Sequence, residues 1–456
     1  MTRVLVLGGG PAGYVAALRA AQLGADVTVI EAREVGGTCL NRGCIPTKAM
    51  VAGAERLRQA REGAEFGVRT GEVRLDFAAF MARKERATRE LRSGVEQLLK
   101  GRQVEVVAGR ATLAGRGRLA LDDGRVLEGD AVILASGSES VRLPVFDWDD
   151  PRVMTSDELL VIDHVPPRLA IVGGGVIGCE FASVFAKLGS TVTIVEMLDQ
   201  LLPGEDRRTG RTLQQAFRRL GIEVLLKNRV EAATGSPDGL ILHLADGREV
   251  AADVTLVSVG RRPVSAGLGY EEAGVALDAR GFVVVDEALR TTLDGVFAAG
   301  DVAGPPLLAH WAYHQGAVAA ENAVTGGRRT VDRRVVPNCV FSSPEVASFG
   351  LTEDRAAAEG RAVEVAHVRF NGNSKAVIEG ENEGYVRIVC EPGGGPVLGA
   401  SLIGPRVTEL VHELALAARS GLTLTDVADT IHAHPTLAEA VAEAALSGLG
   451  RGMHSL

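Results

Sequence analysis

Cysteine is scarce in this chain, with 5 in 456 residues. That is too few for a disulfide framework in a chain this long, and the expectation is a reducing, cytoplasmic setting. Aromatic residues make up only 4% of the sequence. No apolar run is long and charge-free enough to span a bilayer. No charged opening, apolar stretch and cleavage site mark a signal peptide. Positive charge is in deficit, with 49 Lys and Arg against 58 Asp and Glu and a net charge of −9. General nucleic-acid binding is therefore not expected. What the chain has in plenty is glycine, 56 residues. That suits an α/β architecture with many tight turns, and the length suits two to four domains.

The first forty residues read strand, glycine turn, helix, strand. "VLVL" is a short apolar run, "GGGPAG" follows, and "DVTVIE" closes the unit. Gly8, Gly10 and Gly13 match G-x-G-x-x-G, and Glu31 ends the second strand. In that setting the glycines allow a pyrophosphate to approach the backbone at a helix N-terminus, and the acid accepts hydrogen bonds from an adenosine ribose. The pattern recurs in "LAIVGGGVIGCEFASVFAKLGSTVTIVE", where Gly173, Gly175, Gly178 and Glu196 each lie 165 positions after their counterparts. Two copies in register imply two dinucleotide-binding, Rossmann-like domains. Flavin and nicotinamide are the natural pair, because a flavin relays between hydride and thiol chemistry. A cysteine pair follows the first copy closely, so the first copy is expected to hold the flavin. No Arg or Lys occurs in "MLDQLLPGED" after Glu196 to grip a 2′-phosphate, which favours NAD over NADP.

Residues 97 to 135 alternate short strand-like runs with turns. Residues 142 to 168 carry Pro144, Pro151, Pro166 and Pro167 and read as a crossing linker. "VSVGRRP" reads as a second linker, "GVFAAGDVAG" places Asp301 at a strand end, and "AHWAYHQGAVAAENAVTG" reads as a helix stopped by glycine. From about Val335 the text becomes α+β with antiparallel strands: "VEVAHVRF", "GYVRIVC" and "PVLGASLIG" precede helical "TELVHELALAARSG". The expected division is 1–148 for the flavin, 149–267 for NAD, 268–334 as a central segment completing the flavin site, and 335–456 as a terminal domain.

Cys39 and Cys44 stand in "GGTCLNRGCIPTK". On a regular helix, positions five apart have Cα atoms roughly 8.6 Å apart, beyond the ~7 Å that a disulfide spans. A bond between them requires an irregular helix, which Asn41 and Gly43 tolerate. A structural pair, a metal site and a redox pair beside a flavin all compete here. The metal reading lacks ligands, since zinc wants four and no other His or Cys is near. Cys179, Cys339 and Cys390 are isolated in sequence and read as ordinary buried thiols.

The cysteine segment resembles the redox-active motif of the pyridine nucleotide–disulfide oxidoreductases. "GPAGYVAALRAAQLG", "SSPEVASFGLTE" and "HAHPTLAEA" extend the likeness over nearly the whole chain, nearest to the members that oxidise a dihydrolipoyl group. Three positions depart from the usual pattern: Arg42 stands for valine, Ser136 for threonine, and Trp311 for a smaller or charged residue. The resemblance implies a Cys39–Cys44 redox disulfide beside FAD, with Cys39 taking the substrate thiol and Cys44 nearer the flavin. It implies Lys48 near the flavin and paired with Glu180, Asp301 on the ribityl chain, and a terminal dimerisation domain. It implies His434 as the base, oriented by Glu439 and facing the disulfide of a second subunit in a homodimer. Thr436 and Glu439 also read as T-x-x-E, a capping box, and one carboxylate is not expected to face both groups. The implied partner is the lipoyl domain of a 2-oxoacid dehydrogenase complex or a glycine cleavage system. Rival readings are another disulfide reductase or mercuric reductase of the same family, the latter with extra C-terminal cysteines that "GRGMHSL" lacks. A non-catalytic structural subunit of a multienzyme complex is a further alternative.

Overall fold

The computed structural model describes residues 1–236 and 239–454. The apolar run Arg3–Leu7 (β1) lies parallel to Asp26–Glu31 (β2), joined by the helix Pro11–Gln22 (α1). Their sheet runs Val296–Ala298, Ala131–Leu134, β1, β2, Glu105–Ala108, with every neighbouring pair parallel. Strands buried on both faces read as continuous apolar runs, as "VLVL" and "AVIL" do here. The second copy repeats the plan: Glu223–Leu225, Thr191–Val195, Arg168–Val172, Val254–Val257 and Val153–Met154 form a second five-stranded parallel sheet.

Val296–Ala298 comes late in the chain yet edges the first sheet. The helix that follows, Ala309–Thr325, crosses α1 so closely that a Cβ on Gly316 would lie 2.2 Å from the Ala12 carbonyl oxygen. Only glycine permits that approach. This helix ends at Gly326 in the left-handed region, the stop that its sequence suggests.

The terminal unit is a five-stranded antiparallel sheet in the order Asn338–Val340, Glu345–Gly350, Val397–Gly404, Tyr385–Cys390, Glu364–Arg369. Helices Val407–Ser420 and Glu439–Gly448 bury Val411, Leu414, Val441 and Ala444 in its core.

Two parts of the sequence reading need correction. The proline-rich stretch 142–168 is not only a linker. Val153–Met154 within it pairs with Val254–Val257, and a capping box of Thr155 and Glu158 opens the short helix Ser156–Leu159. Residues 97–101 are not strand-like but end a long helix, Phe77–Gly101, capped by the Asp76 carboxylate on the Ala79 amide. That helix packs against Cys44–Glu62, with Gly53 lying flat against Phe80. The apolar contacts of Met50, Ala54 and Leu57 continue into Phe181 and Phe185 of the second unit and into Val340 and Tyr385 of the third. One core therefore fixes the cysteine-bearing helix against both.

Candidate active site

The glycine turn and the cysteines touch. Gly36 and Gly37 both have positive φ, and a Cβ on Gly37 would lie 2.6 Å from the Cα of Gly10. The glycine pair thus seats the short helix Gly37–Arg42 (α2) directly on the start of α1. Asn41 locks it there, its Nδ2 donating to the carbonyls of Val35 at 2.9 Å and Gly37 at 3.0 Å. The helix then breaks at Gly43 (φ −148°, ψ −111°), and a new helix starts at Cys44 and runs to Glu62 (α3). This is the irregularity that a linked pair requires.

Cys39 and Cys44 are free thiols in this structure and share a hydrogen bond. The pair is polarised. The bond from Cys39 lowers the Cys44 thiol below its usual value, against burial, and the Lys48 cation adds to the effect. Cys39 moves the opposite way, raised first by that same bond and then by burial. The Lys48 cation thus favours the charged form at Cys44.

Lys48, one turn beyond Cys44, places its Nζ 2.8 Å from both carboxylate oxygens of Glu180. The Glu180 side chain is only 4% exposed. It also accepts the Phe341 amide at 3.0 Å, and the Phe341 ring lies 4.7 Å from Lys48 Nζ. First, second and third units therefore meet at one ion pair. Phe341 is absent from the sequence-level site, and nothing in its local pattern marks it.

Both glycine turns fit a dinucleotide. A Cβ on Gly13 would lie 1.8 Å from the Gly8 carbonyl oxygen, and one on Gly178 would lie 2.0 Å from that of Gly173. Gly8 and Gly173 have φ of +105° and +106°. Gly10 and Gly175, by contrast, face open space, with nothing nearer than 3.8 Å at Gly10 and nothing within 4 Å at Gly175. Both helices begin there without a side-chain cap, so their first amides remain for an anion. Glu31 accepts the Gly9 amide at 2.6 Å and the Arg33 amide at 2.8 Å. Glu196 mirrors it on Gly174 at 2.6 Å and Leu198 at 2.7 Å. Each oxygen keeps a lone pair for a ribose hydroxyl.

Cations also stand around the cavity beyond Glu196, one of them, Arg207, immediately after the stretch 197–206. Arg207, Arg211 and Lys227 line a cavity with Asp199 and Gln200, and the Lys227 amide donates to the Leu198 carbonyl at 2.9 Å. Arg207 is engaged by Asp199 at 3.3 Å. No cation is paired with Glu196 among the described residues.

Asp301 opens a short turn after Val296–Ala298, and Ser138 Oγ donates to it. Arg42 turns away from the thiols: it pairs with Glu34 at 2.8 Å and lies 3.6 Å from Asp157. Ser136 donates to the Val264 carbonyl at 2.6 Å. Trp311 is buried and stacks on His314. Of the remaining cysteines, Cys179 and Cys390 are buried, as expected, while Cys339 is only half-buried. Burial pushes Cys390 up to about 11 and Cys339 up to about 12.

His434 Nδ1 lies 2.8 Å from Glu439 Oε1, and the other carboxylate oxygen accepts the Thr436 amide at 2.7 Å. One carboxylate faces both groups, contrary to the expectation that the two roles exclude each other. The capping box is only half made. Thr436 Oγ1 turns back to the Ala433 carbonyl, and the helix starts at Glu439 behind Ala438. The His434 ring is 70% exposed, and nearby Ile431 is fully exposed. Within one chain, no hydrogen bond or ion pair joins His434 to Cys39 or Cys44 among the described residues.

Tyr14 of α1 and Tyr313 of Ala309–Thr325 pack edge to face, with ring centroids 5.8 Å apart, and their hydroxyls hydrogen-bond. Neither tyrosine is marked by its local sequence. The signal lay only in the packing of two distant helices.

Comparison with known proteins follows the same lines. A family model described as pyridine nucleotide-disulphide oxidoreductase matches residues 2–316. The dimerisation domain of that group matches residues 336–445. The chain is 41% identical to a dihydrolipoyl dehydrogenase of Haloferax volcanii, over 100% of this chain and 98% of the relative. Its fold matches the crystal structure of LpdA from Mycobacterium tuberculosis with a TM-score of 0.91 and 30% identity, covering 98% of this chain and 99% of that one. It matches the HOCl-induced flavoprotein disulfide reductase RclA of Escherichia coli with a TM-score of 0.87 and 29% identity, covering 96% and 98%.

Proposed function

The chain belongs to the pyridine nucleotide-disulphide oxidoreductases, and we propose that it is an NAD-dependent dihydrolipoyl dehydrogenase. Its reaction oxidises a protein-bound dihydrolipoyl group to the cyclic disulfide. The observation that carries this reading is the Cys39–Cys44 pair, split by the helix break at Gly43 and seated on the first glycine turn. The full-length likeness to a dihydrolipoyl dehydrogenase supports the choice of substrate.

Gly8, Gly10, Gly13, Glu31, Lys48 and Asp301 hold FAD in this reading. Gly173, Gly175, Gly178 and Glu196 hold NAD. When bound, the flavin accepts the electron pair of the dithiol and passes it on to NAD+ as hydride. The chain's own residues do the rest. His434 of a second chain, oriented by Glu439, takes the proton of a substrate thiol, because only thiolates attack disulfides. That thiolate bonds to the Cys39 sulfur; the Cys39–Cys44 bond breaks, and Cys44 leaves as a thiolate. Once the first proton has passed from His434 to solvent, the second substrate thiol gives its proton to the same imidazole, and its thiolate attacks the substrate sulfur bound to Cys39. The cyclic disulfide forms, and Cys39 leaves with the electron pair. Lys48 stabilises the thiolate at Cys44 and is itself held by Glu180.

The same reading divides the chain at 1–148, 149–267, 268–334 and 335–456. The central segment returns to the FAD unit through Val296–Ala298. A homodimer with shared sites accounts for the exposed ring of His434. The partner is a lipoyl domain of a 2-oxoacid dehydrogenase complex or glycine cleavage system, and the setting is cytoplasmic. No helix among the described residues is long and apolar enough to cross a membrane. The test is turnover of dihydrolipoamide with NAD+ by the purified protein. Activity only with NADPH and glutathione disulfide or mercuric ion would overturn it.

A further inference from the structure

His434 stands on an exposed segment, yet one side chain of that segment turns inward. Ile431 is 97% exposed and the His434 side chain 70%, whereas the side chain of His432 is only 8% exposed. Its ring is held at both nitrogens. Nδ1 lies 2.9 Å from the Thr430 carbonyl oxygen, and Nε2 lies 3.0 Å from Glu413 Oε1 on the helix Val407–Ser420. A carbonyl and a carboxylate only accept, so both ring nitrogens act as donors here.

The far end of the segment is anchored separately. Asn373 Nδ2 donates to the Thr436 carbonyl at 3.0 Å, and Asn373 Oδ1 accepts the Ala376 amide at 3.0 Å. Glu439 holds the His434 ring and the Thr436 amide. Ahead of that pair, the tie to a distant helix is His432. The Glu413 side chain is 36% exposed. A pair so open to water adds little to folding stability. What it does supply is a fixed place for the backbone just before His434.

We propose that His432, braced by Glu413, is a positioning residue that sets the place of His434 opposite the thiols of the second chain. The inference rests on the reaction proposed above, in which His434 takes the substrate proton. No bond forms or breaks at His432 itself. Its two hydrogen bonds act through the backbone on the neighbouring base, and a misplacement of about 1 Å costs on the order of 100-fold in rate.

The experiment compares His432→Leu, His432→Gln, Glu413→Leu and the double variant His432→Leu/Glu413→Leu as FAD-loaded dimers. His432→Leu removes both donors, and its kcat for dihydrolipoamide should fall about 10- to 100-fold with KM little changed. His432→Gln keeps a donor for Glu413 and should recover part of the loss. The double variant should be no slower than His432→Leu, because the two side chains act as one unit. NADH-driven reduction of ferricyanide uses the flavin but no thiol base, and it should stay within about twofold of the wild type in all four. Wild-type kcat in His432→Leu overturns the proposal. An equal loss in the ferricyanide reaction also overturns it, since that marks a general structural role. Should His432→Leu fail to fold, Glu413→Leu carries the test: kcat should fall severalfold, and an unchanged kcat overturns the proposal. A further arm uses no substrate. Amide hydrogen exchange over residues 430–436, followed by mass spectrometry, should quicken about tenfold or more in His432→Leu, and unchanged exchange overturns the brace. A wild-type enzyme that ignores dihydrolipoamide would sink the functional reading, while the exchange arm would still decide the brace.

Discussion

Glu439 holds His434 with one carboxylate oxygen and the Thr436 amide with the other. The base and the chain that carries it are thereby fixed by a single side chain. Partial burial alone would raise this carboxyl. The Thr436 amide and His434 outweigh that effect and hold it below the usual carboxylate range. Glu439 is therefore ionised at every pH where thiols react.

Replacing Glu439 with Gln keeps an acceptor for Thr436 and removes the charge beside the imidazole. We expect the dimer and the melting temperature to change little. Dihydrolipoamide turnover should fall about 10- to 100-fold, because general-base catalysis contributes roughly 10²–10⁴. A variant with wild-type kcat would show that Glu439 is only a structural brace.

Lys48→Met removes the cation that, after the Cys39 bond, favours the Cys44 thiolate. The sign is set: without Lys48 the Cys44 thiol ionises at higher pH. Ultraviolet thiolate absorbance of the reduced enzyme should move up by roughly one pH unit. Glu180 is then left buried without its partner, and breaking such a pair is destabilising. A drop in melting temperature should accompany the titration shift. A shift to lower pH would contradict the assignment.

Gly13→Ala places a methyl group where the Gly8 carbonyl stands. The turn must open, and the amides at the start of α1 lose their aim. We expect the purified variant to lose its flavin absorbance while retaining the second nucleotide site, measured by NADH binding. Full flavin content would show that the first turn does not carry the FAD.

Much of this was legible because the signals were local or repeated. Two glycine fingerprints 165 residues apart specify two strand–helix–strand units, and the positions of Gly8, Gly13, Gly173 and Gly178 follow from sterics alone. The cysteine spacing required a helix break, and Gly43 provides it. What stayed hidden depends on distant segments meeting. The strand Val153–Met154 gains its identity only from pairing with Val254–Val257. Phe341 joins the Lys48–Glu180 pair because three cores merge. Of the cavity cations, Arg207 stands just past the stretch that follows Glu196, while Lys227 comes from a distant strand end. From the T-x-x-E spacing one carboxylate is not expected to face both His434 and Thr436, yet its two oxygens divide between them, one on the imidazole and one on the Thr436 amide.

The central claim is that each active site is built from two chains, with the thiols of one facing His434 of the other. Mixed dimers test it most directly. His434→Gln and Cys44→Ser should each be nearly inactive alone. Co-expressed with distinct tags, about half of the dimers formed at random are mixed. Each mixed dimer then has one site rebuilt from intact halves, so about a quarter of wild-type activity should return. Activity remaining at the level of the single variants, with mixed dimers isolated through both tags, would contradict the shared site.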